Sequence, residues 1–254
     1  MIDLRNRVYV ATFQDEAAAV AGEYGLGLEF NQTCISEALD QENREALLAE
    51  MRALKGRDYI LHGPFTEIYP AAIDRRAREM ARERLEEAFE VCKALGVKRM
   101  VVHNGWLPFV YFKEWQAEKG AAFWQEFLRG KPADFFLYIE NVLEDEPLML
   151  ADMMKRIKDP RINLCLDVGH AHAMTTEEFP LQRWIKELAP YIGHFHLHNN
   201  NGRSDEHAAF DCGTLDMQSV IETAVRCCRR EATFTIEARD TRACARWLHE
   251  RGYI

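Results

Sequence analysis

The sequence contains no run of about 18 apolar residues, the length a membrane-spanning helix requires, so no spanning segment is expected. Its first residues, Met1-Ile2-Asp3-Leu4-Arg5, lack the apolar core of a secretory signal, and a cytoplasmic protein is expected. None of the seven cysteines forms a Cys-x-x-Cys pair, which removes the commonest zinc-ribbon and redox motifs. Their number is odd and they are scattered; Cys227 and Cys228 are neighbours on one helical stretch and point apart, so all are read as reduced thiols. No Gly-x-Gly-x-x-Gly follows the first β-rich run, which argues against a doubly wound dinucleotide-binding sheet. No linker, low-complexity tract or extended charge block divides the chain, and residues 1–254 are expected to form one domain. A net charge of −9 argues mildly against a polyanionic partner. It says little about a metal-lined site, where bound ions reverse the local sign.

What is present is a repeating pattern rather than a repeating sequence. Apolar residues make up 48% and charged residues 29%, ordinary values for a soluble globular protein. Short β-rich runs lie near residues 8–13, 25–30, 58–65, 99–104, 135–141, 162–168, 192–198 and 231–239, and amphipathic stretches follow them. The clearest helical stretches are Arg75–Leu95, with Met80, Leu85, Ala88, Phe89, Cys92 and Leu95 on its apolar face, and residues 216–229. Eight alternating βα units in 254 residues predict a single (β/α)8 TIM barrel, the α/β architecture that typically needs about 250 residues.

Strand side chains alternate in direction, so chemistry at a barrel mouth should show as polar residues of one parity. In Tyr59-Ile60-Leu61-His62, Tyr59 and Leu61 face the helices and His62 faces in. By the same alternation His103, Glu140, Asp167, His196 and Glu237 face in at the ends of the next five strands. His170, Asp205 and His207 follow in adjoining loops. His, Asp and Glu side chains converging on one mouth are ligands for a borderline divalent ion such as zinc, manganese or cobalt. An isolated inward His is more often a hydrogen-bonded core residue; the coincidence of residue type, parity and strand end on six strands favours the metal site. His194 lies one layer deeper and either fills the barrel or touches metal, and His198 either lines the mouth or does so. Trp106, Phe109, Tyr111, Phe112 and Trp115 form either helix core or a binding wall. Glu146 is either a second acid-base group or a cap for the next helix.

The fragments Leu61-His62-Gly63-Pro64-Phe65, Val102-His103-Asn104-Gly105, Ile139-Glu140-Asn141, Leu166-Asp167-Val168-Gly169-His170, His196-Leu197-His198-Asn199-Asn200, Asp205-Glu206-His207 and Ile236-Glu237 together resemble the xylose-isomerase-like barrel superfamily, which includes endonuclease IV (AP endonuclease family 2) and many sugar and sugar-phosphate isomerases and epimerases. Endonuclease IV holds three zinc ions with nine ligands, and the resemblance gives each a matching position. His62, His103 and Glu140 would hold one ion. Glu140 would bridge to a second, held also by Asp167, His196 and Glu237. His170, Asp205 and His207 would hold the third. The isomerases are similar in needing the central four. Asn199 departs from the pattern, standing where relatives often carry Asp, and Asp211-Cys212-Gly213-Thr214 replaces a more usual Gly-x-Gly.

Several divalent ions at one mouth suit a phosphate group, because paired ions activate a hydroxide and stabilise the leaving oxyanion. On that basis a metal-dependent phosphoesterase or phosphodiesterase acting on a small sugar-phosphate substrate is expected first. The alternative is a sugar or sugar-phosphate isomerase or epimerase using the central ion alone, with Glu140 and Glu237 as the catalytic proton carriers. A non-catalytic sugar- or metal-binding barrel is a third reading. Arg203, Asn141 and Trp106 are the candidate substrate contacts. Duplex DNA is not expected as a partner. Residues 12–16, 31–36, 63–74 and 104–112, the loops at the mouth, contain no Lys or Arg, and only Arg203 and Arg239 sit near it.

Overall fold

The structure, a computed structural model, describes residues 2–254; Met1, the head of the N-terminal segment read above, lies outside the described residues. Eight parallel strands close into a barrel in sequence order: β1 (Val8–Ala11), β2 (Gly27–Phe30), β3 (Tyr59–His62), β4 (Arg99–His103), β5 (Phe136–Glu140), β6 (Ile162–Asp167), β7 (Ile192–Leu197) and β8 (Thr233–Ile236). Closure is made by β1 pairing with β8, Val8 opposite Phe234 and Val10 opposite Ile236. The described residues also form α1 (Ala17–Tyr24), α2 (Arg44–Ala53), α3 (Arg75–Leu95), α4 (Lys113–Leu128), α5 (Leu148–Arg156), α6 (Val168–Met174), α7 (Leu181–Leu188), α8 (Met217–Cys227) and α9 (Thr241–Glu250), with a 3₁₀ turn at Ser36–Leu39. None of these helices is long and apolar enough to cross a membrane.

The barrel expected from the sequence is therefore the one that forms, and its strand parity is the source of the site. Residues such as Val10, Leu28, Leu61, Val102, Ile139, Leu166, Phe195 and Ile236 point outward and are buried under the helices. Tyr9, Ile60, Val101, Tyr138 and Cys165 form a separate cluster that fills the barrel interior. One inward position further along, β3 to β6 end in polar side chains, so on that side of the barrel an apolar layer lies beneath a polar mouth. The strands are shorter than the β-rich runs. The run 231–239 pairs only over Thr233–Ile236, leaving Glu237 just beyond the ladder. On β7, Ile192 pairs with Leu164 and His194 with Cys165, so Gly193 is left over as a bulge, and the strand resumes with His194 and His196 inward.

The helices start where local chemistry dictates. Asp74 caps α3 by accepting the Arg76 N–H at 2.6 Å, and Gly96, at φ 70°, ends it. Asp216 and Asp240 cap α8 and α9 in the same way. Glu146, one of whose expected roles was acid-base chemistry, instead accepts the Leu148 and Met149 N–H groups at the start of α5, at 2.5 and 3.3 Å.

Candidate metal centre and active site

Four inward side chains meet above the barrel plug: Glu140 at the end of β5, Asp167 at the end of β6, His196 on β7 and Glu237 just past β8. All are buried, and one donor atom from each lies within 4.8 Å of those from the others. His196 Nδ1 is the common neighbour, 2.8 Å from Glu237 Oε2, 3.3 Å from Glu140 Oε1 and 3.8 Å from Asp167 Oδ2. His196 Nδ1 and Glu237 Oε2 are buried and have no hydrogen-bond partner. Buried polar atoms are rarely left unpaired, because each forfeits its hydration without return. Two such atoms facing each other, in a set of one imidazole and three carboxylates, fit a divalent cation.

Local structure explains how these groups are aimed. Asp167 is also the N-cap of α6, its Oδ1 accepting the His170 N–H at 2.6 Å. Asn141, next to Glu140, hydrogen-bonds the backbone of Asp167 on the neighbouring strand. Gly169 is required by close approach: any Cβ there would drive into the ring of His198.

Two further donor groups flank the centre. His62, His103 and Glu140 form one, with His62 Nε2 3.1 Å and His103 Nε2 3.5 Å from Glu140 Oε2. Phe65 stacks on His103 at 4.4 Å and 9°, walling that side. His170, His198, Asp205 and His207 form the other, with His170 Nε2 3.3 Å and His207 Nε2 3.1 Å from Asp205 Oδ2. Beside Glu237 and His207 opens a pocket of about 350 Å³, bordered by Phe13, Asn31, Phe65 and Arg239.

The clustering perturbs ionisation strongly. Burial alone would raise Glu140, but His196, His103 and His170 around it hold it well below the usual carboxylate range. Asp167 is likewise opposed by burial, yet His170 and His198 draw it down to about 2. Burial pushes His103 down to about 3. Against burial, Asp205, Glu237 and Asp167 lift His207 to about 9. His170, His196 and His62 are also carried well above the ordinary imidazole value against the pull of burial, by Asp167 at His170, by Cys165 and Glu237 at His196, and by Cys34 and Glu140 at His62. Without ions the raised imidazoles His62, His170, His196 and His207 balance the lowered carboxylates Glu140 and Asp167, a role that bound cations would take over.

The structure thus gathers every residue named as a metal ligand from the sequence: His62, His103, Glu140, Asp167, His170, His196, Asp205, His207 and Glu237. The three candidate substrate contacts fare differently. Trp106 is buried in the core, its indole N–H on the Tyr111 carbonyl at 2.9 Å, and Phe109 and Phe112 are the exposed aromatics of that loop. The side-chain amide of Asn141 is engaged with backbone rather than facing the mouth. Arg203 stands exposed in the loop that carries Asp205. Asn199 ties that loop together, donating to the Phe210 and Leu215 carbonyls. His198, expected either to line the mouth or to touch metal, joins the outer group, 3.1 Å from Asp167 Oδ1 and stacked on His207. One residue was not singled out for the site. Glu29, fully buried on β2, accepts from His196 Nε2 at 2.9 Å. Its signal was a lone charge of inward parity in Gly27-Leu28-Glu29-Phe30.

A profile of xylose isomerase-like TIM barrels matches residues 16–243 of this chain. The chain belongs to that family. Within the xylose isomerase-like barrels it is similar to the protein MJ1311 of Methanocaldococcus jannaschii, 25% identical over 184 residues, 69% of this chain and 62% of that protein. The chain therefore spans less than two thirds of that relative's length. Among solved structures, the TTHB071 protein from Thermus thermophilus soaked with ZnCl2 superposes with a TM-score of 0.76 at 24% identity, over 96% of this chain and 97% of that one. A D-tagatose 3-epimerase-like protein superposes with a TM-score of 0.75 at 19% identity, over 97% and 96%. At such identities these likenesses speak for the fold.

Proposed function

We propose that the protein is a divalent-cation-dependent sugar isomerase or epimerase. The phosphoester hydrolysis expected first from the sequence gains no support from the relatives, whereas the alternative does: one neighbour in fold is described as epimerase-like and another was soaked with zinc. The observation that carries the reading is the pair Glu140, at the end of β5, and Glu237, just past β8, both reaching His196 Nδ1 within 3.3 Å.

Epimerisation next to a carbonyl takes a proton from carbon on one face and returns one on the other. Two carboxylates flanking a single position provide the two carriers. Glu140, Asp167, His196 and Glu237 would hold the cation, which when bound would polarise the carbonyl and neighbouring hydroxyl of a sugar. Glu237, beside the pocket, takes the proton, and the proton returned on the other face passes through Glu140, which is ionised at rest and must first receive it from a neighbouring imidazolium. Phe13 and Phe65 give the pocket apolar walls that restrict water, while Asn31 and Arg239 offer polar contacts to hydroxyls.

One observation favours a second reading. The outer groups, His62 with His103 and His170 with His198, Asp205 and His207, have no task in a one-cation isomerase. Several ions there would suit hydrolysis of a small phosphoester. The test is proton exchange. Metal-replete protein incubated with ketohexoses and ketopentoses in D2O should introduce deuterium at the carbon next to the carbonyl, and Glu237→Gln should abolish it with the fold intact. Absence of exchange across the panel, with release of phosphate from phosphoesters, would replace this reading by the second.

A further inference from the structure

Beneath the cation site lies a second polar layer that no part of the proposed chemistry uses. At its centre is Glu29, whose carboxylate meets three donors. Oε1 is 2.9 Å from His196 Nε2, and Oε2 is 2.6 Å from Thr235 Oγ1 and 3.1 Å from His194 Nε2. His194 in turn has its Nδ1 2.6 Å from the Thr233 hydroxyl, and Tyr138 stacks on its face at 5.4 Å. Glu29, His194, His196 and Thr235 are all fully buried.

Proton placement follows from what each group can donate. A carboxylate only accepts, so His196 and His194 each present an N–H from Nε2, and Thr235 its O–H. The Nδ1 of His194 is then bare and accepts the Thr233 hydroxyl. Cys165, His194 and His196 converge closely enough to suggest a deeper ion site, as do Glu29, His62 and His196. Yet both nitrogens of His194 and the Nε2 of His196 are already engaged, which closes both groups to a cation. One ring atom of this layer remains without a partner: His196 Nδ1, facing Glu140, Asp167 and Glu237.

We infer that Glu29 is a positioning residue for the cation site. By holding the Nε2–H of His196 it presents the Nδ1 lone pair upward, prevents a ring flip and makes the imidazole a stronger donor. A carboxylate behind a ligand imidazole does this in metal sites generally, and its removal typically costs about 10–100-fold in metal affinity. The arrangement also explains a carboxylate at a position where the neighbouring strands carry Ile60 and Ala11: its charge faces three donors and would lie one ring away from the cation. The inference rests on the reading that Glu140, Asp167, His196 and Glu237 hold a cation.

The test uses the full chain, stripped of metal, and zinc alone as the probe, with affinity read by competition against a chelator. Glu29→Gln keeps the size and removes the charge; zinc affinity should fall about 10–100-fold, with the melting temperature of the metal-free protein close to that of the wild type. Glu237→Gln, a change at a donor itself, separates the two claims. If Glu237→Gln weakens zinc and Glu29→Gln does not, the role of Glu29 is overturned and the cation site stands. If neither weakens it, both fall. Should Glu29→Gln fail to fold, the zinc-loaded wild type decides by ¹⁵N-resolved imidazole spectra. His196 should show zinc on Nδ1 and a slowly exchanging proton on Nε2. Zinc on Nε2, or a fast-exchanging proton there, overturns the inference.

Discussion

The side chain of Asn141 hydrogen-bonds both polar backbone groups of Asp167: its Nδ2 donates to the Asp167 carbonyl at 3.0 Å, and its Oδ1 accepts the Asp167 N–H at 2.9 Å. The two residues belong to adjoining strand ends, where the ladder between β5 and β6 has stopped. The amide thus acts as one more rung, fixing a candidate metal ligand through its main chain. Asn141→Ala leaves a buried N–H and C=O without partners, at a cost of about 1–3 kcal/mol each. Urea unfolding should show a lower midpoint, and zinc affinity should fall with it. Asn141→Asp cannot donate to the carbonyl and should rescue neither property. An unchanged midpoint in Asn141→Ala would mean that the clamp carries no load.

Zinc binding should be strongly linked to protons. His207 is raised from an ordinary 6.5 to about 9, so its contribution to the stability of the metal-free protein is complete below 6.5 and is lost as pH rises through about 9. Asp167 is lowered from an ordinary 3.8 to about 2, so its contribution is complete above 3.8 and is lost as pH falls through about 2. With respect to these two groups, the metal-free protein is most stable between about 3.8 and 6.5. Ligation requires bare imidazole nitrogens, so zinc affinity should run the other way and increase with pH. Calorimetry at pH 7 in buffers of different ionisation heat should register net proton release on binding. Release of no protons would contradict the charge balance described above.

The outer donors distinguish the two chemistries. A one-cation isomerase should keep most of its turnover in the double variant His103→Ala/His207→Ala. A phosphoesterase working through several ions should lose about 10²-fold or more for each charge-stabilising group removed. Zinc stoichiometry measured on the same variant completes the comparison: a count unchanged from wild type goes with the isomerase, and a reduced count with the hydrolase.

Duplex DNA should not bind. The loops that follow the strands carry two cationic side chains, Arg203 and Arg239, against the six to ten phosphate contacts of a committed binder. Metal-replete protein should give no gel shift with abasic duplex at about 150 mM salt, where even non-specific binding lies near 10⁻⁴ to 10⁻⁶ M. Nanomolar binding, or incision with turnover, would restore DNA as a substrate.

The barrel and the six strand-end donors could be read from the sequence because both depend on short-range rules, whereas His170, Asp205 and His207, in loops, took their expected role from the family resemblance. Alternation along a strand decides which residues face in, and the last inward residue of each strand lies at the mouth, whatever the rest of the chain does. Glu29 is the last inward residue of its strand too, but the register sets it opposite Ile60, one layer below His62, so its role depends on partners contributed by β7 and β8. His198 stood at a strand end but, as a third inward histidine, had no local mark separating ligand from lining. Trp106 and Asn141, expected as substrate contacts, are engaged elsewhere for a related reason. Whether an aromatic or an amide near a mouth faces solvent is decided by the neighbouring loop or strand: the Tyr111 carbonyl for Trp106 and the Asp167 backbone for Asn141.

Glu29 and Thr235 are hydrogen-bonded across 206 residues of chain, and Glu29 and His196 across 167. During synthesis, then, the ribosome must deliver nearly the whole polypeptide before this layer exists, and Glu237 arrives two residues later still. A nascent chain carrying His62 and His103 alone offers only scattered, weak donors to cellular zinc. A cation site of this composition would come into being with the seam between first and last strands, so metal capture would wait on closure of the barrel. Arrival of zinc in a refolding experiment would report that final closure rather than the earlier growth of individual βα units.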